Sequence, residues 1–170
     1  MDNFKIAFLA KYQFDNDAIR GAVLVTDKDT KPLEFRVTEP VRPTKVQRTL
    51  YGEILYDYIL VELIAVPLLA ALKEKPKFVL VDDEIFMDAN NKQEIPIIRI
   101  LKQENVSYAK DKSILEEIKS SKFPTIRISC SKKIETKLAD VKTSLEEIYT
   151  SRNLLEPFQR IQDTCTQINN

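Results

Sequence analysis

The chain has 170 residues, 44% of them hydrophobic, which suits one domain with a packed core and no disulfide scaffold. Lys+Arg and Asp+Glu each number 26, so no global positive field draws the protein to nucleic acid, and binding there requires a local basic patch. Histidine is absent and the only glycines are Gly21 and Gly52, which excludes Ser-His-Asp and Cys-His catalysis, histidine-ligated zinc and the glycine-rich loops that cradle phosphates.

Met1 to Lys5 lead directly into a strand-like stretch, without the basic start, apolar run and cleavage site of a signal peptide. A cytoplasmic location is expected. Lys5 to Gln13 sets Ile6, Phe8 and Tyr12 against Lys5, Lys11 and Gln13, which predicts a strand, and Ala22 to Val25 is a short apolar run that suits a buried one. After the polar turn Asp27 to Pro32, Leu33 to Thr38 alternates with Leu33, Phe35 and Val37 on one face. An antiparallel three-strand meander is the simplest arrangement.

Pro40 and Pro43 end the third strand, and Thr44-Lys45-Val46-Gln47 has the form of a capping box that opens a helix. Val46, Leu50, Ile54, Val61, Ala65, Leu68 and Leu72 recur at helical spacing, and Pro67 is expected to bend the helix because it lacks the donor for the Leu63 carbonyl. The most apolar run, Ile59 to Leu72, contains Glu62 and Pro67 and falls short of the ~20 residues a membrane span requires. It reads as a buried helix, with no membrane partner. Lys77 to Val81 then predicts a central parallel strand, buried on both faces and ending at Asp82-Asp83-Glu84.

Ile95 to Leu101 predicts another strand, with Pro96 at an edge or first position, and Ser113-Ile114-Leu115-Glu116 has the capping-box form of a short helix. Pro124 to Cys130 is expected to close the sheet. Cys130 and Cys165 lie too far apart for a Cys-x-x-Cys site and read as core thiols in a reducing compartment. Two further helical stripes follow, Ile134 to Ile148 and Leu154 to Ile168. The expected class is therefore α/β, with a mixed sheet built from the meander, a long crossover helix and parallel strands. Residues 1–131 form the core, and residues 132–170 form a helical segment that packs on it or serves oligomerisation, as one domain overall.

If the first, third and fourth strands run parallel, their C-terminal ends share one edge, where open α/β sheets commonly bind ligands. That edge collects Asp15, Asp17, Glu39, Asp82 and Asp83. Asp82, Asp83, Asp15 and Asp17 are candidate ligands for magnesium or manganese (Mg or Mn), with Glu53 on the helix as a further catalytic candidate. The competing reading makes these acids loop solubilisers and helix caps. Arg42, Lys45 and Arg48 are candidate phosphate contacts, and the alternative is a solvated face paired with Asp15 or Glu39.

The order of three strands, long helix and apolar strand ending in Asp resembles the ribonuclease H-like fold. Pro76-Lys77-Phe78-Val79-Leu80-Val81-Asp82 is similar to the corresponding strand of the endonuclease V branch. The resemblance covers about Lys5 to Asp83 and implies that Asp82, and Glu53 less directly, stand where family carboxylates stand. It also implies an essential aspartate within the first strand, whereas Lys5 to Gln13 contains no acidic residue. Three functional expectations follow: a non-catalytic module on a nuclease-like scaffold that binds nucleic acid or a protein, a Mg/Mn-dependent phosphodiesterase or nuclease using Asp82 and Asp83, and an assembly protein that oligomerises through residues 134–168.

Overall fold

A computed structural model describes residues 3–102 and 114–168. The meander forms as β1 (Lys5–Gln13), β2 (Ile19–Asp27) and β3 (Pro32–Val37), with β1 antiparallel to β2 from Lys5↔Asp27 to Gln13↔Ile19 and β2 antiparallel to β3. The long helix α1 (Lys45–Ala71) crosses over to β4 (Val79–Val81), which pairs parallel with β1 at Ala7↔Val79, Phe8↔Leu80 and Leu9↔Val81. Then β5 (Ile97–Lys102) continues parallel to β4, while β6 (Ile114–Ile118) and β7 (Ile126–Cys130) return antiparallel. The seven strands lie in the order β3-β2-β1-β4-β5-β7-β6.

Two apolar layers follow from the strand period of two. Ile6, Phe8, Ala10, Leu80 and Ile98 face the C-terminal helices α2 (Leu138–Tyr149) and α3 (Glu156–Ile168), which contribute Val141, Leu145, Phe158 and Ile161. Ala7, Leu9, Val23, Val79 and Val81 face α1, which contributes Ile59, Leu60, Ile64 and Leu68. Each fully buried aliphatic or Phe side chain stabilises the fold by about 1.5–3 kcal/mol, and β4 is apolar and buried at every position. Ile134, Leu138, Leu145, Leu154, Phe158 and Cys165 are all spent on this chain's own sheet, leaving Ile168 at 50% exposure as the large apolar residue of that stripe still open to solvent.

The capping box forms as the sequence indicates: Gln47 donates its N–H to Thr44 Oγ1 at 3.1 Å and Thr44 donates its N–H to Gln47 Oε1 at 2.9 Å. By length and composition α1 meets the requirement for a membrane span, and its second half is packed against the sheet. It is not uniform. A 3-10 turn at Gly52–Ile54, with Gly52 at φ +53°, interrupts the first turns, and Ile59–Ala65 is π-helix. Here the Val66 N–H reaches back to the Val61 carbonyl just before Pro67, so the ladder accommodates the missing proline donor by widening. The expected apolar stripe is divided: Val61, Ala65 and Leu68 are buried, while the first turns bury no residue and Val46, Leu50 and Ile54 face solvent.

Two other expectations are corrected. Ile114 to Glu116 lies in strand β6 rather than opening a helix, because Leu115 to Ile118 pair residue by residue with Ser129 to Ile126; Ser113 is outside the described residues. Consequently β7 is interior and β6 closes the sheet. Pro96 directly precedes β5, and its carbonyl accepts the Val79 N–H at 2.8 Å.

Gly21 lets α1 approach β2. A Cβ there would overlap Cγ2 of Ile64 and lie 3.0 Å from its Cβ. Gly21→Ala is expected to destabilise the protein by about 1–3 kcal/mol through overpacking, read as a lower midpoint in urea denaturation; an unchanged midpoint would contradict this close packing.

Candidate functional site

Because β1 and β4 are parallel and β3 is two antiparallel steps from β1, the C-terminal ends of all three share one rim. Leu9 lies opposite Val81. Two residues further along each strand direction, Lys11 and Asp83 meet on the α1 face, with Lys11 Nζ 3.2 Å from Asp83 Oδ2. Tyr56 of α1 joins them. Its hydroxyl donates to the same oxygen at 3.2 Å, accepts a hydrogen bond from Lys11 Nζ, and its ring centroid lies 4.6 Å from that nitrogen. The other oxygen, Asp83 Oδ1, accepts the Ile85 N–H at 3.0 Å and caps the 3-10 turn Glu84–Asn91. Both oxygens of Asp83 are thus engaged, one of them by a charge-assisted bond to an ammonium.

Asp82 follows β4 at the same rim and is exposed. Desolvation raises its pKa above the ordinary value. Its own backbone N–H opposes the shift, the charge of Asp83 adds to it, and Lys11 and Arg99 oppose it. Arg99 in turn pairs with Glu84 at 3.4 Å.

A cavity of about 440 Å³ beside this group is lined by Asp17, Arg48, Glu53 and Tyr56, among others. Tyr56 is the wall common to the cavity and the Lys11–Asp83 pair. Asp17 sits at φ +70° in the turn closed by the hydrogen bond from the Asp17 N–H to the Phe14 carbonyl. Asp15, Arg42 and Lys45 are exposed and do not line the cavity. Among the described residues Arg42, Lys45 and Arg48 form no ion pair, so the expected alternative of pairing with Asp15 or Glu39 is not the arrangement seen. Of the first-turn donors beside them, the Thr44 and Gln47 N–H groups are occupied by the capping box.

The rim therefore gathers Asp82 with Asp83, and separately Asp17 with Glu53 and Arg48. Among the described residues no three of His, Cys, Asp and Glu stand close enough to hold a metal ion. Magnesium and manganese favour several hard oxygen donors around one point. With both Asp83 oxygens engaged and an ammonium beside them, this donor set does not suit a divalent ion. Cys130 and Cys165 are buried core thiols whose pKa values are raised by desolvation. Lys11 and Tyr56 are the residues that reading the sequence missed. The available signal was parity: Lys11 continues the face of Ala7 and Leu9, which are buried under α1.

No family model matches the sequence, and no curated protein matches it either. Solved structures do resemble it. The catalytic domain of human endonuclease V aligns with a TM-score of 0.50 at 10% identity, over 98% of this chain and 82% of that one. Endonuclease V of Ciona intestinalis, solved with a 24mer DNA containing an inosine, aligns at a TM-score of 0.44 and 11% identity, over 79% and 76% of the two chains. At 10% identity the likeness to the human domain is one of fold, and it bears out the ribonuclease H-like arrangement expected from Lys5 to Asp83.

The raised pKa of Asp82 has a definite sign. A carboxyl that holds its proton more tightly when folded favours the fold at low pH, and this advantage is lost as pH rises through the folded value. Asp82→Asn should therefore raise the melting temperature at neutral pH, and the gain should vanish as pH falls below the ordinary Asp value of 3.8. Thermal unfolding across pH checks this; a gain that persists at low pH would contradict it.

Proposed function

We propose that this chain is a non-catalytic module that binds nucleic acid on a nuclease-like scaffold. The observation that carries the proposal is the ammonium of Lys11, fixed between Asp83 and Tyr56 at the junction of β1 and β4. Metal-assisted phosphodiester cleavage uses carboxylates there to hold cations that stabilise the attacking and leaving oxygens. A lysine brings the positive charge with it and brings neither a Lewis acid nor an ionisable water. Affinity for a phosphate survives that exchange, whereas activation of water does not.

The ligand class rests on the exposed cations. Arg42, Lys45 and Arg48 stand within a few residues at the start of α1 and are not neutralised by neighbouring acids among the described residues. Arg48 lines the rim cavity, where Tyr56 supplies an aromatic wall. Guanidinium groups contact phosphate oxygens in bidentate fashion, and such contacts tolerate any base sequence.

Single-stranded DNA and RNA oligonucleotides test the proposal. Binding should weaken as salt rises, and Arg42→Ala and Arg48→Ala should each lower affinity across sequences and reduce the slope of log affinity against log salt by about 1. Incubation of the same strands with the protein and manganese should leave them intact. Salt-independent binding, or cleavage that disappears in Asp82→Asn, would contradict the proposal.

A further inference from the structure

Among the described residues, three buried side-chain atoms have no hydrogen-bond partner: Nε of Arg99, Nε of Arg127 and Oγ of Ser129. They are not scattered. Arg99 in β5 lies directly opposite Ser129 in β7, and Arg127 precedes Ser129 by two positions on the same strand. Residues paired across strands, and residues two apart along one strand, project to the same face of a sheet. The three side chains therefore form one group, with Cβ atoms about 4.5–5.5 Å apart for the opposed pair and about 7–8 Å apart on the diagonal. Pairing of Arg99 with Val81 puts the group on the face that α1 covers at β4.

Leaving a buried donor unpaired is costly, more so on a charged group, and native folds pair nearly all such atoms. The neighbouring acids do not relieve these. Arg99 meets Glu84 through Nη1 at 3.4 Å, which leaves its Nε edge free. Arg127 stands opposite Glu117 of β6, yet forms no ion pair among the described residues. Ser129 is 1% exposed. The group calls for a negatively charged acceptor with more oxygens than the two of a carboxylate. A phosphate presents its oxygens tetrahedrally and can take an N–H from each guanidinium and the hydroxyl at once. We infer that Arg99, Arg127 and Ser129 form a phosphate-binding site on the β5–β7 face. The site uses none of Arg42, Lys45 and Arg48, so it stands apart from the nucleic-acid reading. A free phosphate group and a nucleic-acid backbone offer it the same chemistry.

Thermal unfolding of the full chain in inorganic phosphate at constant ionic strength tests it. The melting temperature should rise with phosphate along a saturating curve, because a ligand of the folded state shifts unfolding by mass action. Ser129→Ala removes a hydroxyl that has no partner, so the phosphate-free fold stays intact. Both this variant and Arg127→Gln should raise the half-saturating phosphate concentration by about tenfold or more. If Arg127→Gln also weakens binding of single-stranded DNA, the site serves a backbone phosphate; if DNA affinity is unchanged or absent, it serves free phosphate groups. A rise that never saturates, or one that the native chain and both variants share equally, is the general effect of phosphate on folded proteins and would overturn the inference.

Discussion

The parallel pairing of β1 with β4 at the centre of the sheet is the constraint on which the site depends. Only three residue pairs define it, Ala7 with Val79, Phe8 with Leu80 and Leu9 with Val81, yet they set what happens at the rim. Continuing that register brings Lys11 to Asp83 on the face covered by α1, where Tyr56 completes a group held by hydrogen bonds and an ion pair. A slip of one residue would turn Lys11 to the opposite face.

The two covering layers use different devices. On one face, α2 and α3 dock through regular amphipathic stripes, and α3 is tied to the meander by Arg160, which donates to the Thr30 carbonyl at 2.6 Å, and by Gln162, which donates to the Lys11 carbonyl at 2.8 Å. On the other face, α1 changes pitch twice and approaches β2 over the bare surface of Gly21. Its far end is anchored by Glu34 of β3, which accepts the N–H groups of Lys73 and Glu74. The irregular helix is the one that supplies Tyr56 to the site, Arg48 and Glu53 to the rim cavity and an exposed apolar face to solvent.

Much of this was legible in the residues. The meander, the Thr44–Gln47 cap and the apolar strand ending at Asp82 rest on local alternation, local hydrogen bonds and local composition, which sequence carries directly. The strand at Ile114 to Ile118 was not legible, because a four-residue capping pattern resembles a helix start and only pairing with β7 makes it a strand. The division of the α1 stripe was hidden for a similar reason: periodicity marks an apolar face, but only tertiary packing decides which turns are covered, and the first turns of α1 bury no residue. At the site, the candidate acids were visible as residue types. Their distribution into two groups, with Lys11 beside one of them, is a product of strand register and could not be read from spacing.

On the proposed reading, the Lys11 ammonium beside Asp83 supplies at the β1–β4 rim the positive charge that a metal ion would otherwise bring. Calorimetric titration of manganese into the native chain and into Lys11→Asp decides whether the ammonium excludes the ion. No saturable binding is expected for the native protein, and saturable binding is expected for the variant, where a carboxylate replaces the ammonium paired with Asp83. Native protein that binds manganese as tightly as the variant, or a folded variant that binds none, would contradict it.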